Sequence, residues 1–185
     1  MNRDDGPRRR NAERTRARIL DAAQRAFAEI GYSQAGIREI ATRADVSSSL
    51  LDRYFGSKAG LFEACLMDAL REPFPFGEDR SRFGRSLAHL LTAEELDFRL
   101  PAMLVLSIGD AEARTITTKV VRHHIVEPLA KWLGPPNARA RALRLIMLCT
   151  GYVIYTHQIR AGGTVGSPRS RPDKWLATTL QSLVD

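Results

Sequence analysis

Apolar positions along the chain recur mostly at intervals of three and four, the spacing of one helix face, and strand-like alternation is weak throughout. Over residues 10–30 the stripe is Ile19, Ala23, Ala26, Phe27 and Ile30, which predicts a first helix. Gly31 ends it, as a residue tolerant of positive φ should. "IREIATRA", residues 37–44, predicts a short helix with Ile37, Ile40, Ala41 and Ala44 inward, followed by Asp45 in a turn. Ser47 or Ser48 can cap a third helix that buries Leu51 and Phe55 and breaks at Gly56. Ser57 then caps a fourth, whose stripe is Leu61, Phe62, Cys65, Leu66 and Ala69.

"REPFPFGEDRS", residues 71–81, holds two prolines, a glycine and a charge cluster, and reads as a junction. Beyond it the pattern predicts helices near 80–91, 94–107, 111–133, 138–160 and 172–184, with Pro101 and Pro128 kinking or dividing two of them. "GPPN", 134–137, predicts a turn, and "AGGTVGSPRSRP", 161–172, an inter-helix loop. The expected fold class is all-α. Residues 1–11 form a flexible basic arm, 12–57 a three-helix domain, 58–70 a connecting helix, 71–80 the junction and 81–185 a C-terminal helical domain.

The 185 residues are 44% apolar and 26% charged, as in an ordinary soluble protein, with no apolar run long enough to cross a bilayer. The N-terminus is polar and basic without a secretory signal, so the expected location is cytoplasmic. Cys65 and Cys149 sit in apolar helical contexts and read as small buried hydrophobes. The net charge of +7 is uneven: about +4 over residues 1–60, −3 over 61–120 and +6 over 121–185. A basic excess favours an anionic partner, nucleic acid being the common one. No HExxH, GxSxG or Walker loop occurs, no metal or cofactor set converges, and the chain does not read as an enzyme.

Two short helices, about 37–44 and 47–55, joined by "ADVSS", have the elements of a helix-turn-helix. Ala41 is small where the helices touch, Val46 is apolar in the turn, and Leu51 and Phe55 anchor the second helix. In that motif the second helix lies in the major groove. Ser47, Ser48, Ser49, Leu50, Asp52, Arg53 and Tyr54 then lie on or beside its outer face, short serines allowing close approach. The same spacing also suits a plain helical hairpin in a bundle.

The stretch "TRARILDAAQRAFAEIGYSQAGIREIATRADVSSSLLDRYFGSKAGLFEACL", residues 15–66, resembles the DNA-binding domain of the tetracycline-repressor (TetR/AcrR) family. The family pattern is roughly T-R-x-x-I-L-x-A-A-x-x-x-F-x-x-x-G-Y, then I-A-x-x-A-G-V-S, then L-Y-x-H/Y-F-x-S-K-x-x-L. The resemblance implies an all-helical homodimer that binds a double-stranded operator and is released by a small-molecule effector bound in the C-terminal domain. By position it implies phosphate or base contacts from Thr15, Arg16, Gly36, Arg38, Ser48, Tyr54 and Lys58. The chain departs from the pattern at Asp45, usually glycine, at Gly36, usually threonine, and at Asp52, usually tyrosine. Asp52 can repel phosphate, accept from a cytosine amino group, or pair with Arg53 or Arg38 as a brace, the last slightly favoured. Arg8, Arg9 and Arg10 can reach a minor groove if the arm is free.

For the C-terminal domain the resemblance makes the last two helices the dimer surface, with Leu143, Met147, Thr150, Ile154, Trp175, Leu176, Leu180 and Leu183 as candidates. The same stripes also suit an intramolecular core. An effector pocket for a small, largely apolar ligand is expected around Phe83, Leu87, Met103, His123, Tyr152 and Tyr155. The competing readings within this fold are an architectural, nucleoid-type DNA-binding protein and a regulator without effector.

Overall fold

The computed structural model describes residues 5–70, 79–93, 97, 99–159 and 174–185. Every regular element among them is helical. The chain forms two compact units: Met1–Arg71 with Ala102–Val120, and Glu72–Pro101 with Val121–Asp185.

In the first unit α1 (Asp5–Gln34) leaves helical geometry at Gly31, where φ is 77° and ψ 171°. The helix reaches back to Asp5, so the arm expected to be free over 1–11 is helical from residue 5, and Arg9 pairs with Glu13 one turn on at 3.1 Å. Ile19, Ala23, Ala26 and Phe27 are fully buried, as their spacing predicts. Ile30 instead stays 41% exposed, because the break at Gly31 redirects the chain and Tyr32 enters the core in its place. α2 (Ile37–Arg43), α3 (Ser48–Phe55) and α4 (Lys58–Ala69) follow. Ser57 caps α4, its side chain accepting from the Gly60 N–H at 3.0 Å. The rings of Phe27, Tyr32 and Phe62 meet with centroids 5.0–5.9 Å apart. The buried Gln24 amide donates to the Cys65 carbonyl and the Asp68 carboxylate, so no polar group is stranded there.

Residues 102–120 pack with this first unit. They comprise most of α6 (Arg99–Leu106), a 3₁₀ turn at Ser107–Gly109 and all but the last residue of α7 (Ala111–Val121). Their polar side chains explain why. The Tyr32 hydroxyl donates to Glu112 at 2.5 Å, the Ser33 hydroxyl to Asp110 at 2.7 Å, and Lys119 pairs with Glu63 at 2.9 Å. Burial and the Glu112 carboxylate both raise the Tyr32 phenol above its ordinary value, so this donor keeps its proton. Pro101 falls in the first turn of α6, where its missing N–H leaves no helical bond unmade; it starts that helix rather than kinking it.

In the second unit a 3₁₀ turn at Arg80–Arg82 leads into α5 (Phe83–Leu91). A π turn at Arg122–Val126 precedes α8 (Glu127–Leu133). Pro128 accounts for it: the ring crowds the carbonyl four residues back and offers it no N–H, and the wider turn accommodates both. α9 (Ala138–Val153) ends in a second π turn, Ile154–Gln158, and α10 (Lys174–Ser182) closes the unit. Phe83, Leu87, Leu91, Leu129, Leu133, Leu145, Val153, Leu176 and Leu180 form one buried cluster. Arg141 gathers the carbonyls of Leu133, Gly134, Pro136 and Val184, fixing the turn expected at 134–137. The expected loop at 161–172 and most of the junction at 71–80 lie outside the described residues.

Gly84 sets the approach of α5 to α10. A Cβ there would stand 2.3 Å from the Ala177 carbonyl oxygen and 2.6 Å from the Gln181 nitrogen. Gln181 uses the closeness, accepting from the Gly84 N–H at 2.9 Å and donating to the Arg80 carbonyl at 3.0 Å. Gly84→Ala is expected to cost about 1–3 kcal/mol of stability by overpacking. Gly109→Ala, where a Cβ meets nothing within 4 Å, should be near neutral; denaturant unfolding of both variants checks the contrast.

Candidate nucleic-acid interface

The site begins with a chain reversal. α2 ends in a Schellman turn: the Val46 N–H bonds the Ala41 carbonyl at 3.0 Å and the Asp45 N–H bonds that of Thr42 at 3.1 Å. This requires a left-handed residue, and Asp45 takes that role with φ 51°. The aspartate thus fills the family's glycine position with the conformation the glycine supplies. Arg18 of α1 pins the turn, its guanidinium reaching the Ala44 carbonyl at 2.6 Å and both the carbonyl and carboxylate of Asp45 at 3.0 Å. Arg43 bridges Glu29 of α1 and Glu39 of its own helix at 2.7 and 2.8 Å. Neither arginine was expected in the site.

α3 starts at Ser48 with Ser47 in the capping position, but the Ser47 side chain makes no capping bond. It shares a hydrogen bond with the Ser49 hydroxyl at 3.0 Å instead. Leu51 is the buried anchor; Phe55 is only half-buried, with the Arg16 guanidinium 5.5 Å over its ring. Gly60 lets the end of α3 meet the start of α4, since a Cβ there would lie 2.2 Å from the Phe55 carbonyl oxygen.

Ser47, Ser49, Asp52 and Arg53 are exposed, with Ser48 and Leu50 half-buried beside them. Arg38 on α2 is exposed too, and Gly36 holds the α2 N-cap with extended backbone and no side chain in the way. Among the described residues the side chains of Arg38, Asp52 and Arg53 form no hydrogen bond or ion pair. The expected brace from Asp52 to Arg53 or Arg38 is therefore absent, and the carboxylate stands open on the outer face. Other candidates are engaged within the protein. The Thr15 hydroxyl donates to the Asn11 carbonyl at 2.9 Å, and the Tyr54 hydroxyl reaches toward the Ala12 carbonyl at 3.4 Å. The Lys58 ammonium sits 3.3 Å from the Ser33 carbonyl and 4.6 Å from the centre of the Tyr32 ring.

The open set of two guanidinium groups, serine hydroxyls and one carboxylate is suited to base edges: arginine to guanine, carboxylate to the cytosine amino group.

The residues expected around an effector pocket lie in different settings. Phe83 and Leu87 are core residues of the second unit, with Tyr152 half-buried against them, whereas Met103 belongs to the first unit. His123 is exposed and bonded to Glu127 at 2.9 Å, and Tyr155 is exposed. Of the expected dimer residues, Leu176 and Leu180 are fully buried in their own unit, because α10 turns that stripe onto α5. Leu143, Met147 and Trp175 remain 41%, 66% and 59% exposed, with Thr150, Ile154 and Leu183 half-buried. Cys65 is fully buried as expected; Cys149 is half-buried, and desolvation pushes its thiol up to about 12. Among the described residues no group of His, Cys, Asp and Glu is placed to hold a metal, and no helix is long and apolar enough to cross a membrane.

Because Asp52 lacks an internal partner, its charge is felt by whatever meets α3. Asp52→Tyr should raise affinity for non-operator duplexes by about fivefold, the equivalent of ~1 kcal/mol for one close pair of unit charges in water. Fluorescence anisotropy at low salt measures it, and a loss of affinity for every duplex would mean that Asp52 supports the helix or makes a required contact, and would overturn the repulsion.

Comparison with known proteins agrees with this geometry. Curated relatives include HTH-type transcriptional regulators BetI of Burkholderia thailandensis, 39% identical over 57 residues, and of Burkholderia cenocepacia, 37% identical over 57 residues. Each match covers 31% of this chain and 29% of the relative, so the chain spans under a third of the curated proteins it matches. Among solved structures, NalD of Pseudomonas aeruginosa, the secondary repressor of the MexAB-OprM multidrug efflux pump, shares the fold. It is 18% identical with TM-score 0.63, covering 95% of both chains. GusR of Salmonella enterica is 20% identical with TM-score 0.64, covering 92% of this chain and 93% of its own. The family model for bacterial regulatory proteins, tetR family, matches residues 19–65, and that for the tetracyclin repressor-like C-terminal domain matches residues 82–184. Matches over both halves of the chain show that it belongs to the TetR family of bacterial regulatory proteins, and the turn held by Arg18 and the open α3 face form its helix-turn-helix.

Proposed function

We propose that the protein is a repressor that binds a palindromic operator as a homodimer and releases it when a small, largely apolar effector occupies the C-terminal domain. The observation that carries the DNA reading is the outer face of α3 and α2, where Arg38, Arg53 and Asp52 stand without internal partners on a rigidly held turn. Phosphate contacts fall to Thr15, Arg16, the Gly36 N–H, Tyr54 and Lys58, and base contacts to Ser47, Ser48, Ser49, Leu50, Asp52, Arg53 and Arg38. A second copy of the chain is the partner for the exposed apolar face, with Leu143 and Met147 on α9 and Trp175 beside α10's buried stripe. Two-fold pairing there matches two reading heads to two half-sites. Support for an effector comes from the family of the C-terminal domain and from two π turns in the second unit, a feature that often marks functional sites.

Two outcomes test this. Lys58→Ala should weaken binding to every duplex alike and flatten the salt dependence of log K by about 0.9, the contribution of one phosphate. Salt titration of anisotropy reads it, and an unchanged slope removes Lys58 from the phosphate contacts. An effector found by thermal-shift screening should bind the operator complex more weakly than the free protein, by a coupling of about 1–3 kcal/mol. Calorimetry with and without operator measures this, and equal affinities would overturn the allosteric claim.

A further inference from the structure

Lys58 opens α4, yet its ammonium lies against the end of α1, on the Ser33 carbonyl and the face of the Tyr32 ring. Both of those residues are themselves held by carboxylates. The Ser33 hydroxyl donates to Asp110 at 2.7 Å, and the Tyr32 hydroxyl donates to Glu112 at 2.5 Å. Asp110, just before α7, and Glu112, in its first turn, thus place two negative charges behind the two groups that hold the lysine. Asp110 is fixed in its charged form: the Ala113 N–H and the Ser33 hydroxyl hold its carboxyl below the usual carboxylate range, and the charge of Lys58 adds to this. An ammonium in such a setting has a carbonyl dipole and a π face against it, and feels the charge of Asp110.

We propose that Asp110 and Glu112 act as a brake on DNA binding: through Ser33 and Tyr32 they hold the Lys58 ammonium in an intramolecular cage from which backbone phosphate must draw it. This rests on the reading that Lys58 grips phosphate. The two carboxylates work in one direction, stabilising the caged lysine and opposing an incoming phosphate. They are positioning residues; neither touches a base. Withdrawal of the first turn of α7 from the end of α1 loosens the cage and frees a cation for DNA, so the brake makes affinity adjustable from a segment that never meets the duplex.

The test compares one substitution in two backgrounds by anisotropy on a non-operator duplex at low salt, using the full chain. Asp110→Asn removes the charge and keeps an acceptor for the Ala113 N–H, asparagine being as good a cap as aspartate. It should raise affinity by about threefold to fivefold, the size of one exposed ion pair. In a Lys58→Met background the same substitution should leave affinity unchanged. An equal rise in both backgrounds would show simple repulsion of DNA by Asp110, and a fall in affinity would make the cage a support for the phosphate contact; either overturns the brake. Should circular dichroism show that Asp110→Asn unfolds, Glu112→Gln, which retains an acceptor for Tyr32, carries the same comparison. If Lys58→Met alone changes neither affinity nor salt slope, the phosphate reading itself has failed, and the brake fails with it.

Discussion

The reading head depends on one left-handed residue. α2 and α3 can cross only if the chain reverses between Ala44 and Ser47, and that reversal is made by Asp45 at φ 51°. A non-glycine residue in that region is strained unless its surroundings hold it. Here they do: two Schellman hydrogen bonds close the turn from within, and Arg18 closes it from α1 through two carbonyls and the carboxylate. The ion pair itself is exposed, Asp45 almost fully, and adds little alone. Its value is geometric, since the same guanidinium collects three oxygens and so fixes the turn's orientation on α1. Everything that α3 offers to DNA inherits its direction from this.

Each unit has its own way of closing a core with short helices. The first uses an aromatic trio, Phe27, Tyr32 and Phe62, and then ties α7 to the end of α1 through side-chain oxygens. The second uses aliphatic stripes from α5, α8, α9 and α10, brought close by a missing side chain at Gly84. The polar bonds of the first unit are more responsive than packing is, because they depend on charge and on single torsions.

Local patterns were legible in the sequence wherever a few neighbouring residues decide the outcome. The helix-turn-helix, the break at Gly31, the cap at Ser57 and the turn at Asp45 are of this kind. Arg18 was not legible, because its principal partner is a backbone oxygen 26 residues away, and any sequence supplies backbone oxygens. The brace considered for Asp52 is absent because Arg53, its neighbour on α3, points to a different side of the helix and Arg38 stands apart on α2. The stripe of α10 suited both a dimer surface and an intramolecular core, and Leu176 and Leu180 are spent on the core. Periodicity says which face is apolar and is silent on what covers it. Nor does periodicity foretell that Tyr32, Ser33 and Glu63 bond to residues 110–119, which fall within the C-terminal family match.

The contact at Gly60 bears on how such a protein can diversify. With no room for a methyl group between the Phe55 carbonyl and Gly60, α3 and α4 meet backbone to backbone, with no side chain between them to act as a cushion. The tilt of α3 is therefore not a quantity that substitutions in the joint can tune by degrees; a larger residue there breaks the joint outright. New sequence preferences must arise by exchanging the outward side chains of a helix whose pose is already settled. The serines, the aspartate and the arginine on that face are the parts of the head that can change while the scaffold stays fixed.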